Sequence, residues 1–309
     1  MKILVLGCGA IGGYFGGRLQ QAGLDVTYLV REHRQKFLHE NGLSITSPFG
    51  DAHLQVKTVT KASLSGIYDL ILLTCKSYDL DDAIETISPA VSNQTTIIPL
   101  LNGLIHFQKL DEKFHTERVM GGFCYLSVTM DEKGNIQHLS PSHSLTLGVR
   151  HSSQHSLLEL LSERLSHANF NVKVSDDILA DLWSKFTFLC AAAAVNCMMR
   201  GNIGMIMNTQ FGRQVIMGIL DECNTVASAY GYRPLAKDKQ LALDQLTKDN
   251  SSFEASMYKD MKINHRTEAD HIVGDMVKKG LEAGVRTPYL LAALTNLEVY
   301  ENSLKTENL

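Results

Sequence analysis

Three glycines near the start of the chain stand in the order Gly7-Cys8-Gly9-Ala10-Ile11-Gly12. A G-x-G-x-x-G spacing suits a diphosphate. The first glycine permits a tight turn, the second lets backbone approach the ligand, and the third lets a helix pack closely on a strand. N–H groups at the start of that helix then face the anion, together with the positive end of the helix dipole. The surroundings agree: an apolar run, Lys2 to Leu6, precedes the glycines, and a helical stretch, Gly12 to Ala22, and a second apolar run, Asp25 to Val30, follow them. Strand, glycine turn, helix and strand in this order separate a dinucleotide site from a plain glycine turn. The end of the second run tells which dinucleotide to expect, since a carboxylate there bonds a ribose 2′-hydroxyl and an arginine accepts a 2′-phosphate. The chain reads Leu29-Val30-Arg31-Glu32, with Arg34 nearby. Arg31 points to NADPH, although Glu32 stands only one residue away, and a solvated surface charge is the plain alternative for Arg31.

The second half holds other reactive side chains. In Asp181-Leu182-Trp183-Ser184-Lys185-Phe186 a lysine stands at the front of a long apolar helical run. It can pair with Asp181 one turn back, or it can act as a partly desolvated ammonium that gives a proton to a carbonyl oxygen. Local pattern alone favours the pair. Ser256-Met257-Tyr258-Lys259-Asp260 is followed by Arg266-Thr267-Glu268-Ala269-Asp270, where Thr267 and Glu268 alone read as helix-start chemistry. Tyr258 and Lys262 fit the Tyr-x-x-x-Lys of short-chain dehydrogenases. They fall late in a helical region, however, with Gln245 where a serine would be needed, and the match reads as chance. The 12 histidines form no HExxH and no paired-ligand spacing, so no metal site is expected. His106 and His271 read as surface or cap residues rather than pocket residues.

These groups need elements to hold them. Asp69 to Thr74 and Thr95 to Leu100 continue the apolar runs, as strands of a parallel sheet covered on both faces do. Val119 to Met130, Ser144 to Val149 and Asn171 to Val174 read as further strands. Beyond Ser175 the pattern turns helical, over Asp176 to Met199 with Ser175 or Asp176 as N-cap, Phe211 to Tyr230, Asp238 to Leu246, Glu268 to Ala283 and Tyr289 to Leu304. The expected class is α/β: an N-terminal Rossmann-type doubly wound parallel sheet over residues 1–175 and an all-α C-terminal domain over 176–309 that carries substrate and catalysis. With 309 residues, 44% hydrophobic and 20% charged, the chain can bury two cores. Its formal net charge of -4 offers no basic excess for nucleic acid. The longest apolar stretch, Phe186 to Val195, is short for a bilayer, so no membrane is expected. Six scattered cysteines without a CxxC read as thiols of a cytoplasmic protein.

In order and spacing these segments resemble the ketopantoate reductase (2-dehydropantoate 2-reductase) family over nearly the whole chain. The resemblance rests on KILVLGCGAIGGYFGGRL, Arg31, Cys75-Lys76-Ser77, Leu101-Asn102-Gly103, Gly121 to Ser127 and Trp183-Ser184-Lys185. It continues through SMYKD, RTEAD and Gly284-Val285-Arg286-Thr287-Pro288. It implies hydride transfer from NADPH to a 2-oxo acid, ketopantoate first, in pantothenate and coenzyme A synthesis, with the cleft between two domains. It further implies Lys185 as general acid, Asn102 beside nicotinamide and substrate, and Lys76 on the cofactor side. Ser256 would lie near the substrate carboxylate and Glu268 at a substrate hydroxyl, with the dinucleotide on Gly7, Cys8, Gly9, Ala10, Ile11 and Gly12. A homodimer is left open. Leu189 departs from the family, many of whose members carry an asparagine one turn after the lysine, and Asn196 is the nearest candidate to replace it. Two alternatives follow: a reductase of another 2-oxo acid, and a non-catalytic NADP-binding redox sensor, against which Lys185, Asn102 and Glu268 together speak.

Overall fold

The computed structural model describes residues 1–306. Strand β1 (Lys2–Leu6) is buried at every position after Lys2. Helix α1 (Ala10–Gln21) leads from it to β2 (Asp25–Leu29), and α2 (Glu32–Asn41) follows. Three short strands come next, β3 (Leu43–Thr46), β4 (Ala52–Leu54) and β5 (Lys57–Val59), then β6 (Leu70–Leu73), α3 (Leu80–Ile87), β7 (Thr96–Pro99) and α4 (Ile105–Phe114). One sheet has the order β5-β2-β1-β6-β7, and all its neighbours run parallel. The chain moves outward from β1 in both directions, so the C-terminal end of β1 is the switch point where doubly wound sheets bind ligands.

Not every expected strand joins that sheet. β8 (Gly121–Met130), β9 (Ile136–Gly148) and β10 (Asn171–Val174), with α5 (His155–Leu165) before the last, build a second sheet. There β8 runs antiparallel to β9, while β3 pairs parallel near the start of β9 and β10 near its end. Helix α1 lies between the two sheets, and its glycines show how tightly. A Cβ on Gly16 would come within 2.6–2.9 Å of the Tyr28 ring in the first sheet, and one on Gly17 within 2.6 Å of Ile45 in the second. On the same side as Gly17, Tyr14 and His143 share a 2.8 Å hydrogen bond, Ser47 and His138 a 2.9 Å one, and Phe49 stacks on His143 at 3.6 Å. Both imidazoles are buried.

Helices make up the remainder: α6 (Ile178–Met199), α7 (Ile203–Met207), α8 (Gly212–Ala229), α9 (Ala236–Leu246), α10 (Ser256–Lys262), α11 (Asp275–Glu282) and α12 (Pro288–Thr306). Helix α6 starts at Ile178, which puts Asp177, not Ser175 or Asp176, directly before it. Ser175 instead donates its backbone N–H to Leu147. The helix expected from Glu268 opens with a π turn, Asp270–Gly274, ahead of α11. Contacts divide the chain into a unit of residues 1–101 and 106–179 and a second unit of 102–105 and 180 onward, so the partition falls four residues beyond the expected boundary. By length and composition α6 could cross a membrane, with a mean hydropathy of 1.5 over its most apolar window, but 61% of that window is buried. Cys190 to Val195 are wholly enclosed in the core of the second unit, where α6 is the central helix.

Candidate active site

In the first unit the glycine turn is built by backbone. Gly7 has φ 94°, a left-handed value that favours glycine, and its N–H donates to Leu29. Thr74, at the end of β6, donates its hydroxyl to Leu6 O at 2.8 Å and locks the turn to the neighbouring strand. A Cβ on Gly12 would collide with Gly7 O and the Thr74 hydroxyl, whereas one on Gly9 would meet nothing within 4 Å. Gly12 thus seats the helix, and Gly9 opens onto free space at the N-terminus of α1, as a diphosphate site requires. Burial pushes the Cys8 thiol up to about 11, with Arg34 pulling the other way, so this cysteine is a packing group.

Arg31 and Arg34 do different work. Arg34 donates Nε to Cys8 O and Nη1 to Gly134 O, both at 3.0 Å, and braces the glycine turn. Arg31 has a side chain 70% exposed and meets Asp79 at 3.1 Å. Asp79 lies in the short turn that Lys76 opens after β6. The glycine turn, Arg31 and Lys76 therefore follow the C-terminal ends of three adjacent strands, β1, β2 and β6.

The second unit assembles its groups through side chains. Lys185 is half-buried on α6 and donates Nζ to Asn102 Oδ1 at 3.3 Å, a partner that the Asp181 spacing does not foretell. Asn102 is held by its neighbour. Gly103 has φ 84°, and a Cβ there would come within 2.8 Å of His271 O. The Asn102–Gly103 turn thus rests on the π turn that begins two residues after Glu268. Glu268 itself is half-buried, and its carbonyl accepts from Ile272. Thr267 serves structure: its N–H and hydroxyl both donate to Glu301 Oε1 at 2.6 Å. Ser256 is exposed at the first residue of α10.

Several expectations need correcting. His106 is wholly buried, with its ring 4.3 Å from that of Phe107, and His271 is buried too, so neither is a surface residue. Asn196 cannot stand in for the asparagine absent at Leu189. Its side chain is 0% exposed, its Nδ2 donates to Gly201 O and its Oδ1 accepts from Ala255 N, each at 2.8 Å. Leu189 is half-buried and packs against the helical core, as does Phe188, whose ring lies 6.0 Å from that of Phe253. Sequence reasoning missed Asp79, Thr74 and the seat that His271 gives Gly103, because long-range contacts leave no local signal. Among the described residues no group of three or more His, Cys, Asp or Glu could hold a metal.

A glycine turn at the switch point of a parallel sheet, in a chain whose helical unit bears a lysine–asparagine pair, defines a dinucleotide-dependent oxidoreductase. Comparison with known proteins agrees. Residues 3–151 match ketopantoate reductase PanE/ApbA, and residues 177–301 match its C-terminal part. The chain belongs to the ketopantoate reductase family. An uncharacterized oxidoreductase of Bacillus subtilis, YkpB, is 33% identical over 97% of this chain and 99% of its own. A 2-dehydropantoate 2-reductase of Pyrococcus horikoshii is 27% identical over 95% of this chain and 96% of its own. The fold also matches D-mandelate dehydrogenase, solved with NADH and anilino(oxo)acetate, at a TM-score of 0.88 and 22% identity over 99% of both chains.

Proposed function

We propose that this chain reduces a 2-oxo acid to the 2-hydroxy acid with NADPH in the cytoplasm, ketopantoate to pantoate being the first reaction to test. The hydrogen bond from Lys185 to Asn102 carries the proposal, because it aims a half-buried ammonium through a side chain that resembles the family's nicotinamide-side asparagine. The open space at Gly9 and the closed packing at Gly12 fit a dinucleotide diphosphate on α1. Exposed Arg31 is suited to a 2′-phosphate, with Asp79 as the carboxylate it would leave. Lys76 stands on the cofactor side. Bound nicotinamide supplies the hydride. Lys185 Nζ gives a proton to the carbonyl oxygen as negative charge develops there, and Asn102 holds the ammonium in line. Ser256 receives the substrate carboxylate and Glu268 a substrate hydroxyl.

Leu189 supports a second reading within the same chemistry. A leucine side chain cannot bond a substrate hydroxyl, which favours a 2-oxo acid without one. NADPH oxidation with ketopantoate and with branched, unbranched and aryl 2-oxo acids tests both readings. Turnover of any 2-oxo acid supports the reductase, and the ranking with and without a hydroxyl chooses the substrate. NADPH binding without turnover on the whole panel would identify a redox sensor instead.

A further inference from the structure

We infer that Asn196 is a positioning residue, whose buried amide ties the Ser256 end of the substrate site to the helix that carries Lys185. The inference rests on the reading of Ser256 as a substrate anchor and concerns what holds it. Residues 251–255 form a strap leading into α10. Two backbone bonds hold its first part, from Gly204 N to Ser251 O at 2.8 Å and from Ile203 N to Phe253 O at 3.1 Å. A Cβ on Gly204 would come within 2.7–2.8 Å of the backbone at Asn250 and Ser251, so that contact is close. The tie nearest Ser256 is made by a side chain: Ala255 N donates to Asn196 Oδ1 at 2.8 Å. Ala255 is also the residue from which α10 starts, and its carbonyl accepts from Tyr258 and Lys259.

Asn196 is itself fixed. Its Nδ2 donates to Gly201 O just past the end of α6, so both ends of the amide are engaged and its orientation is set. An amide supplies one donor and one acceptor at this reach, which no apolar residue can do. Asn196 follows Lys185 by eleven residues on one continuous helix. The helix thereby carries the proton donor at one point and, through Asn196, the strap that presents Ser256 at another. A change at Asn196 should shift the anchor while leaving the proton donor and the glycine turn in place.

The test uses the full-length enzyme and the best 2-oxo acid from the panel. Asn196→Ala removes the bond from one side. Ala255→Pro removes it from the other, with Ala255 already at φ -64°, the value that proline fixes. Both variants should raise KM for the 2-oxo acid about tenfold, with kcat within a few-fold and NADPH binding unchanged, because uniform substrate binding is what they weaken. Glu222→Ala, which removes a buried cap on α12 remote in sequence from the strap, is the control for destabilisation and should leave KM unchanged. The inference is overturned if KM stays at the wild-type value in both Asn196→Ala and Ala255→Pro, or if Glu222→Ala raises it equally. A wild-type enzyme inactive on every 2-oxo acid would instead overturn the reductase reading on which this inference stands.

Discussion

The first unit makes its site from backbone, and the second makes its site from side chains. At the glycine turn the decisive groups are N–H, C=O and the missing Cβ atoms of Gly9 and Gly12. In the second unit they are side-chain groups, the Lys185 ammonium and the Asn102 amide it bonds at 3.3 Å. A backbone site admits almost no substitution without moving a strand or a helix. A side-chain site can be retuned one residue at a time.

Breaking the side-chain site should have the largest effect. Lys185→Ala should lower kcat by roughly 10²–10⁴-fold, the range for a lost general acid, with NADPH titration unaffected. Turnover within a few-fold of wild type would reduce Lys185 to an ordinary helix lysine. The two glycines probe the backbone site in different ways. Gly12→Ala should destabilise the first unit by about 1–3 kcal/mol, the usual cost of overpacking, seen as a lowered Tm without any ligand. Gly9→Ala should leave Tm unchanged and weaken NADPH, because its Cβ projects into open space. Equal Tm losses in the two variants would break the distinction between packing glycine and ligand glycine.

Arg31→Ala should weaken NADPH by about tenfold, in line with losing a charge-assisted contact, and leave NADH unchanged. Equal losses for both cofactors would remove Arg31 from the 2′-phosphate site. Smallest is a pH effect that separates the units. Burial holds His138 and His143 below the ordinary 6.5, and each is also repelled by Arg18, so the folded first unit resists protons that the unfolded chain accepts. Their contribution is complete above pH 6.5 and is lost as pH falls toward the lowered values. In the second unit burial raises Glu222 and Asp275 above 4.5 and 3.8, so their contribution is present at low pH and is lost as pH rises through the raised values. Hydrogen exchange between pH 7 and 5.5 should therefore show β8, β9 and α1 weakening first. Weakening that starts in α8 and α12 would reverse the assignment.

The sequence made β1, β2, β6 and β7 easy to read because both faces of a central parallel strand are buried and the runs are apolar throughout. It concealed β3, β4 and β5, each three or four residues long, and most of β9, where Ser140, Pro141 and Ser142 interrupt the alternation. The glycine turn was legible with its purpose, since its spacing is local. Lys185 was visible as a residue but not as a partner of Asn102, which lies 83 positions away. Asn196 was seen only as a candidate substrate contact, because nothing in the sequence reveals that Gly201 and Ala255 close around its amide. Resemblance to a family supplied roles where local pattern supplied none.

The second sheet has a consequence for the order in which the chain can be made. The parallel sheet is complete in sequence once Pro99 has been synthesised, yet β3 pairs with β9 through Ile45↔Ile136. At about 5–20 residues per second, the roughly 40 residues from Pro99 to Ile136 take on the order of 2–8 s to emerge. Through that interval α1 has its first sheet and lacks its second, so the side of the helix bearing Gly13, Tyr14 and Gly17 stays open to water. The register of β3 against β9 is therefore a late, long-range event in folding. A ribosome-bound chain stalled shortly after β7 would present a sticky, half-covered helix of the kind chaperones bind.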